Sequence, residues 1–439
     1  MDLHHQPEKL LQKLIQFDTT NPPGNERACV EFIQELLEEK GIHCDLYGRT
    51  PERPNLVARI KGRGEAAPLL LYGHVDVVTT AGQKWQYPPF EGQIADGFIW
   101  GRGALDMKEG VAMQVSAFLR LHEEGYSPAG DVILLVLSDE EVGGEFGASF
   151  MVEEHPEVFK NVRYALGEFG GFNITFGGKR FYPIQVAEKQ ICTLELVIRG
   201  TAGHGSSIVE GSASGKLAIV LDRLNNHRTP VHIPETTRTM IERMAENSGF
   251  LTGLGMKAML QPSLTDWLLK KLGRIGMTFM LMFHNTASPT ILHGGEKVNV
   301  VPSEIKVTLD GRMLPGMQPE EFVREIRDLI GMGEEDVEIH VVKYEQGPQK
   351  IDMGLFDHLA RSLKKVDPEG IPVPLLLTAV TDGRHLAKLG IQSYGFIPLK
   401  LPEGFAFFDM AHNADERIPV EAVGFGTDAI YDVLKGYQG

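Results

Sequence analysis

Residues 7–17, PEKLLQKLIQF, set Leu10, Leu11, Leu14 and Ile15 at helical spacing, which predicts an amphipathic helix. TTNPPG at 19–24 interrupts the period with two prolines and a glycine, as a loop does. NERACVEFIQELLEEK at 25–40 resumes it, with Asn25 in the place of an N-cap and Gly41 as the stop. Residues 55–61, 68–72 and 131–137 are short runs rich in Leu, Ile and Val, and a helical stretch at 110–124 separates the last two. Strands alternating with helices predict an α/β sheet.

A different texture begins near Glu188. Residues 191–200, 305–309 and 337–342 alternate apolar and polar side chains, while 214–225 and 319–330 carry a helical period. Half-exposed antiparallel strands with helices on one face predict a separate α+β domain. Residues 249–283, rich in Met, Leu and Phe, read as partly helical. From Gln346 the first texture returns, with helices at 353–365, 384–389 and 420–434 and strands at 374–377 and 393–397. The expected organisation is one α/β domain, residues 1–187 and 346–439, with residues 188–345 inserted into it.

At 439 residues the chain has room for about two or three domains. Its 42% hydrophobic and 23% charged residues are those of a globular protein rather than a disordered or fibrous one. The net charge of −16 and the lack of a Lys/Arg run argue against nucleic-acid binding and against anionic membranes. No apolar run approaches the ~18 residues of a membrane span. Residues 1–10 lack a basic stretch followed by an apolar core, so a cytoplasmic location is expected. Three cysteines without a CxxC pair argue against a disulfide framework and a thiolate zinc site. Any metal must then be held by His and carboxylates.

GHVDVV begins at Gly73, directly after an apolar run. Residues two apart on a strand point the same way, so His74 and Asp76 emerge together at its carboxyl end, where open α/β sheets place ligands. The pair suits a metal-binding imidazole with a carboxylate fixing its tautomer, or a surface ion pair. In GRGALDMKEG at 101–110 the GxG lacks the third glycine of a dinucleotide fingerprint, and Asp106 is placed to bridge metals or to form a turn. SDEEVGG at 138–144 sets three acids after a buried strand. Like charges so close raise one another's pKa. A dinuclear metal centre would compensate them, one acid ligating while a neighbour serves as general base; the plain alternative is a solvated acidic loop. Glu168 in GEFGG and His412 in AHNADE complete a cysteine-free set of His and carboxylates, the ligand chemistry of Zn²⁺, Co²⁺ or Mn²⁺. A phosphate-binding GxxxxGK[ST] does not occur.

The ordered set GHVDVV, GRGALDMKEG, DEEVGG, GEFGG and HNADERI resembles the M20 metallopeptidases. RGTAGHGS at 199–206, KVNVVP at 297–302 and TDGR at 381–384 extend the likeness over nearly the whole chain. GRGALDMKEG, GEFGGF and the long apolar segment look most like the carboxypeptidase S and N-acyl-amino-acid hydrolase branch. The resemblance implies a zinc-exopeptidase-like α/β catalytic domain, a mixed sheet flanked by helices, carrying an inserted α+β lid and dimerisation domain. It implies two divalent ions, zinc before cobalt or manganese. His74, Asp106 and Glu168 would hold one ion and Asp106, Glu141 and His412 the other, with Asp106 as bridge. Glu140 would be the general base and Asp76 the partner of His74. His204 would reach a partner's active site and stabilise the oxyanion. Asn299 and Arg312 would bind substrate, Arg312 as bidentate partner of a carboxylate. Thr381 and Arg384 would join them, although Ala379 and Val380 stand where many members have two glycines.

The expected function is cleavage of a peptide or N-acyl amide bond next to a free carboxylate, by a homodimer joined through the inserted domain and bound to neither nucleic acid nor membrane. The rival is a non-catalytic M20-like protein that binds peptides or acyl amino acids; it would lack a ligand or the base. Residues 249–283 either line a pocket for a large apolar group or pack the lid or dimer interface, packing being the usual fate of apolar stripes.

Overall fold

Nine strands form the larger of two main sheets in the computed structural model, which describes residues 3–348 and 350–439, the side chains of residues 274 and 275 aside. Its first eight strands run in the order Cys44–Tyr47, Asn55–Ile60, Val132–Leu137, Leu69–His74, Tyr164–Gly167, Gln392–Gly395, Lys179–Glu188, Ile371–Leu377, and Ile174–Phe176 pairs with Lys179–Glu188. The four central strands, from Val132–Leu137 to Gln392–Gly395, are parallel. VILLVL and LLLYGH are buried at every position, as strands covered on both faces must be. Helices Lys108–Glu123 and Val420–Gly436 pack against each other on one side. Ala148–Glu154 covers the other.

The second main sheet is antiparallel, in the order Thr286–Gly294, Glu304–Met313, Gln190–Arg199, Val337–Glu345. Helices Ala213–Asn226 and Pro319–Ile330 cover one face over a separate core that includes Leu194, Val307 and Phe322. The chain crosses from the large sheet to the small one at Lys189 and returns between Glu345 and Phe356.

Between these crossings lie four further helices, Glu235–Glu246, Phe250–Ala258, Pro262–Lys271 and Gly273–Met280. Their buried residues, Met240, Met244, Met256 and Leu269 among them, belong to the core of the large sheet rather than to that of the small one. Glu235–Glu246 lies directly on Ile371–Leu377. The apolar segment therefore reaches back from the inserted stretch onto the main domain. Helix Arg27–Glu38 starts two residues beyond Asn25, which does not cap it; Glu26 there is bound by Arg53. No described helix is long and apolar enough to cross a membrane.

Candidate metal centre

Parallel pairing sets the register that assembles the site. His74 ends its strand opposite Leu137, and Leu71 stands opposite Leu166. The segments that follow, Ser138 to Glu141 and Glu168, therefore leave the same sheet edge as His74. Asp106 joins them from the loop before helix Lys108–Glu123, and His412 from the loop after Phe407–Met410. Asp139, Phe169 and His412 hold positive φ of 72°, 67° and 64°, a conformation that costs a non-glycine residue about 1–2 kcal/mol. Three of the six such residues among those described thus adjoin or belong to this cluster, which marks it as a place where geometry is imposed on the backbone.

Asp106 faces two imidazoles at once. Its Oδ1 lies 3.2 Å from His74 Nε2 and its Oδ2 3.0 Å from His412 Nε2. Glu168 Oε2 is 3.6 Å from His74 Nε2, and Glu141 Oε2 is 3.3 Å from His412 Nε2. Glu140 also offers an oxygen within 4.8 Å of His74 and Glu168 donors. The donor trios that lie within 4.8 Å of one another are His74, Glu140, Glu168 and His74, Asp106, Glu141, while His412 meets Asp106 and Glu141.

Asp76 does more than face His74. Its Oδ1 is 3.4 Å from His74 Nδ1, farther than its own carbonyl oxygen at 3.0 Å. The carboxylate also accepts from the amides of Glu140 at 3.0 Å and Glu141 at 3.1 Å, and from Asn21 Nδ2 at 2.8 Å. It therefore anchors the turn that carries both glutamates. Asp139 points away: it accepts from Asn21 at 2.9 Å, Arg53 Nη2 at 2.8 Å and the Phe146 amide at 2.9 Å. Of the three consecutive acids, one is structural and two face the cluster. Glu416, four residues beyond His412, pairs with Arg102 and accepts from the Leu105 amide, pinning the Asp106 loop. Sequence reading missed Asn21, Glu26, Arg53 and Glu416 as supports; their partners are distant along the chain and carry no spacing rule.

Burial raises the carboxyls of Glu140, Glu141 and Glu168, and the charge of Glu168 pushes Glu140 further. Hydrogen bonding to Asp106 and Glu141 lifts His412 to about 10. Burial pulls the other way at His74, yet its carboxylate neighbours hold it well above the usual imidazole range. Burial likewise opposes ionisation of Asp106, but the two imidazoles keep it well below the usual carboxylate range. His74 Nε2 and Glu141 Oε1 are buried without a hydrogen-bond partner, an unfavourable state unless something else satisfies them. Oxygen and imidazole donors, paired about one shared carboxylate with lone pairs left over, fit two divalent cations.

Arg384 reaches the edge of the cluster. Its Nη1 is 3.8 Å from Glu140 Oε1 and its Nε 3.2 Å from Glu345 Oε2, and it donates to the carbonyls of Thr381 at 2.7 Å and Gly143 at 3.1 Å. Thr381 donates through its amide and hydroxyl to Glu188, both at 3.0 Å. Burial lifts Glu188 to about 8 and Asp382 to about 7. The structure does not bring the remaining three residues into contact with the cluster. His204 is exposed with Nδ1 2.7 Å from Ser206 Oγ. Asn299 lies next to it, its carbonyl accepting from Gly205 at 2.8 Å. Arg312 is occupied by Asp310 at 2.8 and 3.1 Å. Among the described residues no hydrogen bond or ion pair joins these three to the clustered acids.

Beside Glu168 opens a cleft of about 830 Å³, lined by Phe169, Phe172, Leu281, Phe405, Phe407 and Phe408 with other residues. Phe172 and Phe407 stack with centroids 4.3 Å apart. Its volume lies in the range of small-molecule sites, roughly 300–1,000 Å³.

Comparison with known proteins adds four likenesses. The family described as peptidase family M20/M25/M40 matches residues 70–436. The Dictyostelium discoideum protein named "Probable carboxypeptidase S-like 2" is 26% identical over 407 residues, covering 88% of this chain and 74% of that one. An N-fatty-acyl-amino acid synthase/hydrolase of Xenopus tropicalis is 29% identical over 370 residues, covering 81% and 70%. The crystal structure of an M20 family metallo-carboxypeptidase from Sulfolobus solfataricus superposes with a TM-score of 0.69 at 19% identity, covering 99% of each chain.

Proposed function

The chain belongs to peptidase family M20/M25/M40, hydrolases of peptide or amide bonds, and on that premise we propose that it cleaves N-acyl amino acids with a large apolar acyl group. The observation that carries the catalytic reading is Asp106, whose two oxygens face His74 and His412 from opposite sides. His74, Asp106 and Glu168 would hold one divalent cation, and Asp106, Glu141 and His412 a second, zinc before cobalt or manganese. Such ions supply Lewis acidity to water and to the scissile carbonyl.

The rest falls to the chain's own groups. Glu140, raised by burial and kept in place through its amide on Asp76, takes a proton from the attacking water and returns it to the leaving nitrogen. Arg384 beside it orients the carboxylate. His204, on the inserted sheet domain, would donate to the oxyanion after closure or from a second copy, and Asn299 and Arg312 would take the substrate's carboxylate. Support for a homodimer comes from the two edge strands of the small sheet, on which Ile291, Leu292, Val341 and Val342 are exposed. Three buried unpaired cysteines support a reducing, cytoplasmic location.

The aromatic cleft beginning at Phe169 supports an acyl substrate over a short polar dipeptide, and the names of the carboxypeptidase S-like and fatty-acyl relatives agree with it. The test is product formation by zinc-loaded and chelated protein from a panel of dipeptides and N-acyl amino acids of increasing chain length. The expected result is hydrolysis only beside a free carboxylate, rising with acyl length and abolished by chelation. Preference for short dipeptides would overturn the acyl reading, and no cleavage of any compound by protein holding two metals would favour the binding-protein alternative.

A further inference from the structure

Helices Phe250–Ala258 and Pro262–Lys271 turn several of their largest apolar side chains outward. Phe250 is 84% exposed, Leu251 80%, Leu254 59% and Trp267 60%. Positions 250, 251 and 254 share one face of their helix, while Gly253 and Met256 on the other face are buried. Eight of the 23 exposed large apolar side chains among the described residues lie between Phe250 and Leu281. Single exposed apolar residues are ordinary, but a concentrated set marks a binding surface.

The local charge reverses that of the whole chain. Residues 250–281 contain Lys257, Lys270, Lys271 and Arg274 against one acid, Asp266, although the protein carries −16 overall. Asp266 is occupied by His284 Nε2 at 2.9 Å. Lys257, Lys270 and Lys271 are exposed, and Lys271 Nζ lies 5.9 Å from the Trp267 ring. Farther along the same segment, Leu281 is exposed and lines the aromatic cleft.

We propose that these helices dock on an anionic lipid surface, with Phe250, Leu251, Leu254 and Trp267 entering the boundary between headgroups and acyl chains. Apolar side chains at that depth with lysines beside them are the arrangement of interfacial helices, tryptophan favours the interface, and each cation adds attraction to anionic headgroups. A second copy of the chain would satisfy the apolar side chains but would place the exposed Lys257, Lys270 and Lys271 on both sides of the contact. The lipid surface complements both features. The surface rests on exposure and charge alone, and binding is measurable without substrate, so its failure is separate from failure of the acyl reading.

The probe is a set of vesicles of phosphatidylcholine mixed with phosphatidylglycerol, with phosphatidylcholine alone as control. Among the three tryptophans, Trp100 is buried and Trp85 half-buried, so a spectral change reports chiefly on Trp267. Full-length metal-loaded protein is expected to co-sediment with the anionic vesicles and shift its emission to the blue, and Trp267→Phe should remove the shift. Combined Lys270→Glu and Lys271→Glu should weaken binding on the order of tenfold or more. Phe250→Ser, Leu251→Ser and Leu254→Ser together should abolish sedimentation while turnover of a short, water-soluble N-acyl substrate and the melting temperature stay unchanged. No partition into anionic vesicles would overturn the proposal. Conversion of a dimer to a monomer by the triple substitution, without any vesicle binding by the parent, would assign the face to a contact between copies instead.

Discussion

Removing Arg53 should cost more than any other single support of the catalytic turn. Its guanidinium contacts Glu26 at 2.7, 3.1 and 3.3 Å and Asp139 at 2.8 Å, and its side chain is 9% exposed against 0% and 4% for the two acids. Four hydrogen bonds to charged groups at about 1.5–3 kcal/mol each would sum to about 6–12 kcal/mol. That sum overstates the loss, since burying the ions already costs much of it. Breaking a buried pair by removing one partner measures about 3–5 kcal/mol, because the remaining charges are left uncompensated. Glu26 is already raised by burial with Arg53 present, so two unpaired acids should place Arg53→Ala in the upper half of that range. Urea unfolding of metal-free wild type and variant gives the difference. Turnover should fall as well, since Asn21 joins Asp139 to Asp76. Arg53→Ala combined with Glu26→Gln should recover part of the stability. A loss below about 1 kcal/mol, typical of exposed pairs, would refute the reasoning.

Glu140→Gln should keep both metal equivalents and lower kcat by about 10²–10⁴, read by steady-state kinetics beside metal analysis. Lys189, 1% exposed where the chain passes between sheets and held by the His284 carbonyl at 2.7 Å, is pushed by burial to about 7 from its ordinary 10.5. Its folded pKa is depressed, so its charge destabilises fully below about 7, and that cost fades as pH rises toward 10.5. Lys189→Met should therefore be more stable than wild type by about 1–3 kcal/mol at pH 7, after the lost hydrogen bond is counted, with the advantage shrinking as pH rises. A pH-independent difference in the denaturation curves would contradict this. Arg384→Lys should lower kcat more than it raises KM for a carboxylate substrate, because Arg384 stands 3.8 Å from Glu140; a pure KM effect would make it a substrate clamp only.

The strands that carry ligands were legible because each is a short, fully apolar run ending in a polar motif, as LLLYGH and VILLVL show. Others hid behind proline. Strand Thr286–Gly294 contains Pro289 at a register shift on a sheet edge, where proline is tolerated, and Lys179–Glu188, paired on both sides, contains Pro183; both prolines break the expected pattern. Helix Glu235–Glu246 escaped notice because ETTRTMIERMAE is mostly polar, its buried stripe reduced to Met240, Ile241, Met244 and Ala245 with two threonines. The apolar segment after it stood open between pocket lining and packing; Met256, Met259 and Leu269 join the core of the large sheet, while Leu281 and Met282 line the aromatic cleft. A net charge describes the whole chain and not its parts: the total of −16 averages over the four cations that stand within residues 250–281. Asn21 could not be found from spacing, since its two acidic partners lie 55 and 118 residues downstream.

The central claim is that one carboxylate is shared by two cation sites. Zinc stoichiometry by equilibrium dialysis and mass spectrometry, on wild type, His74→Ala, His412→Ala and Asp106→Ala, tests it most directly. Wild type should hold two equivalents, each histidine variant should lose one of them, and Asp106→Ala should weaken both. Retention of two tightly held equivalents by Asp106→Ala would contradict the account.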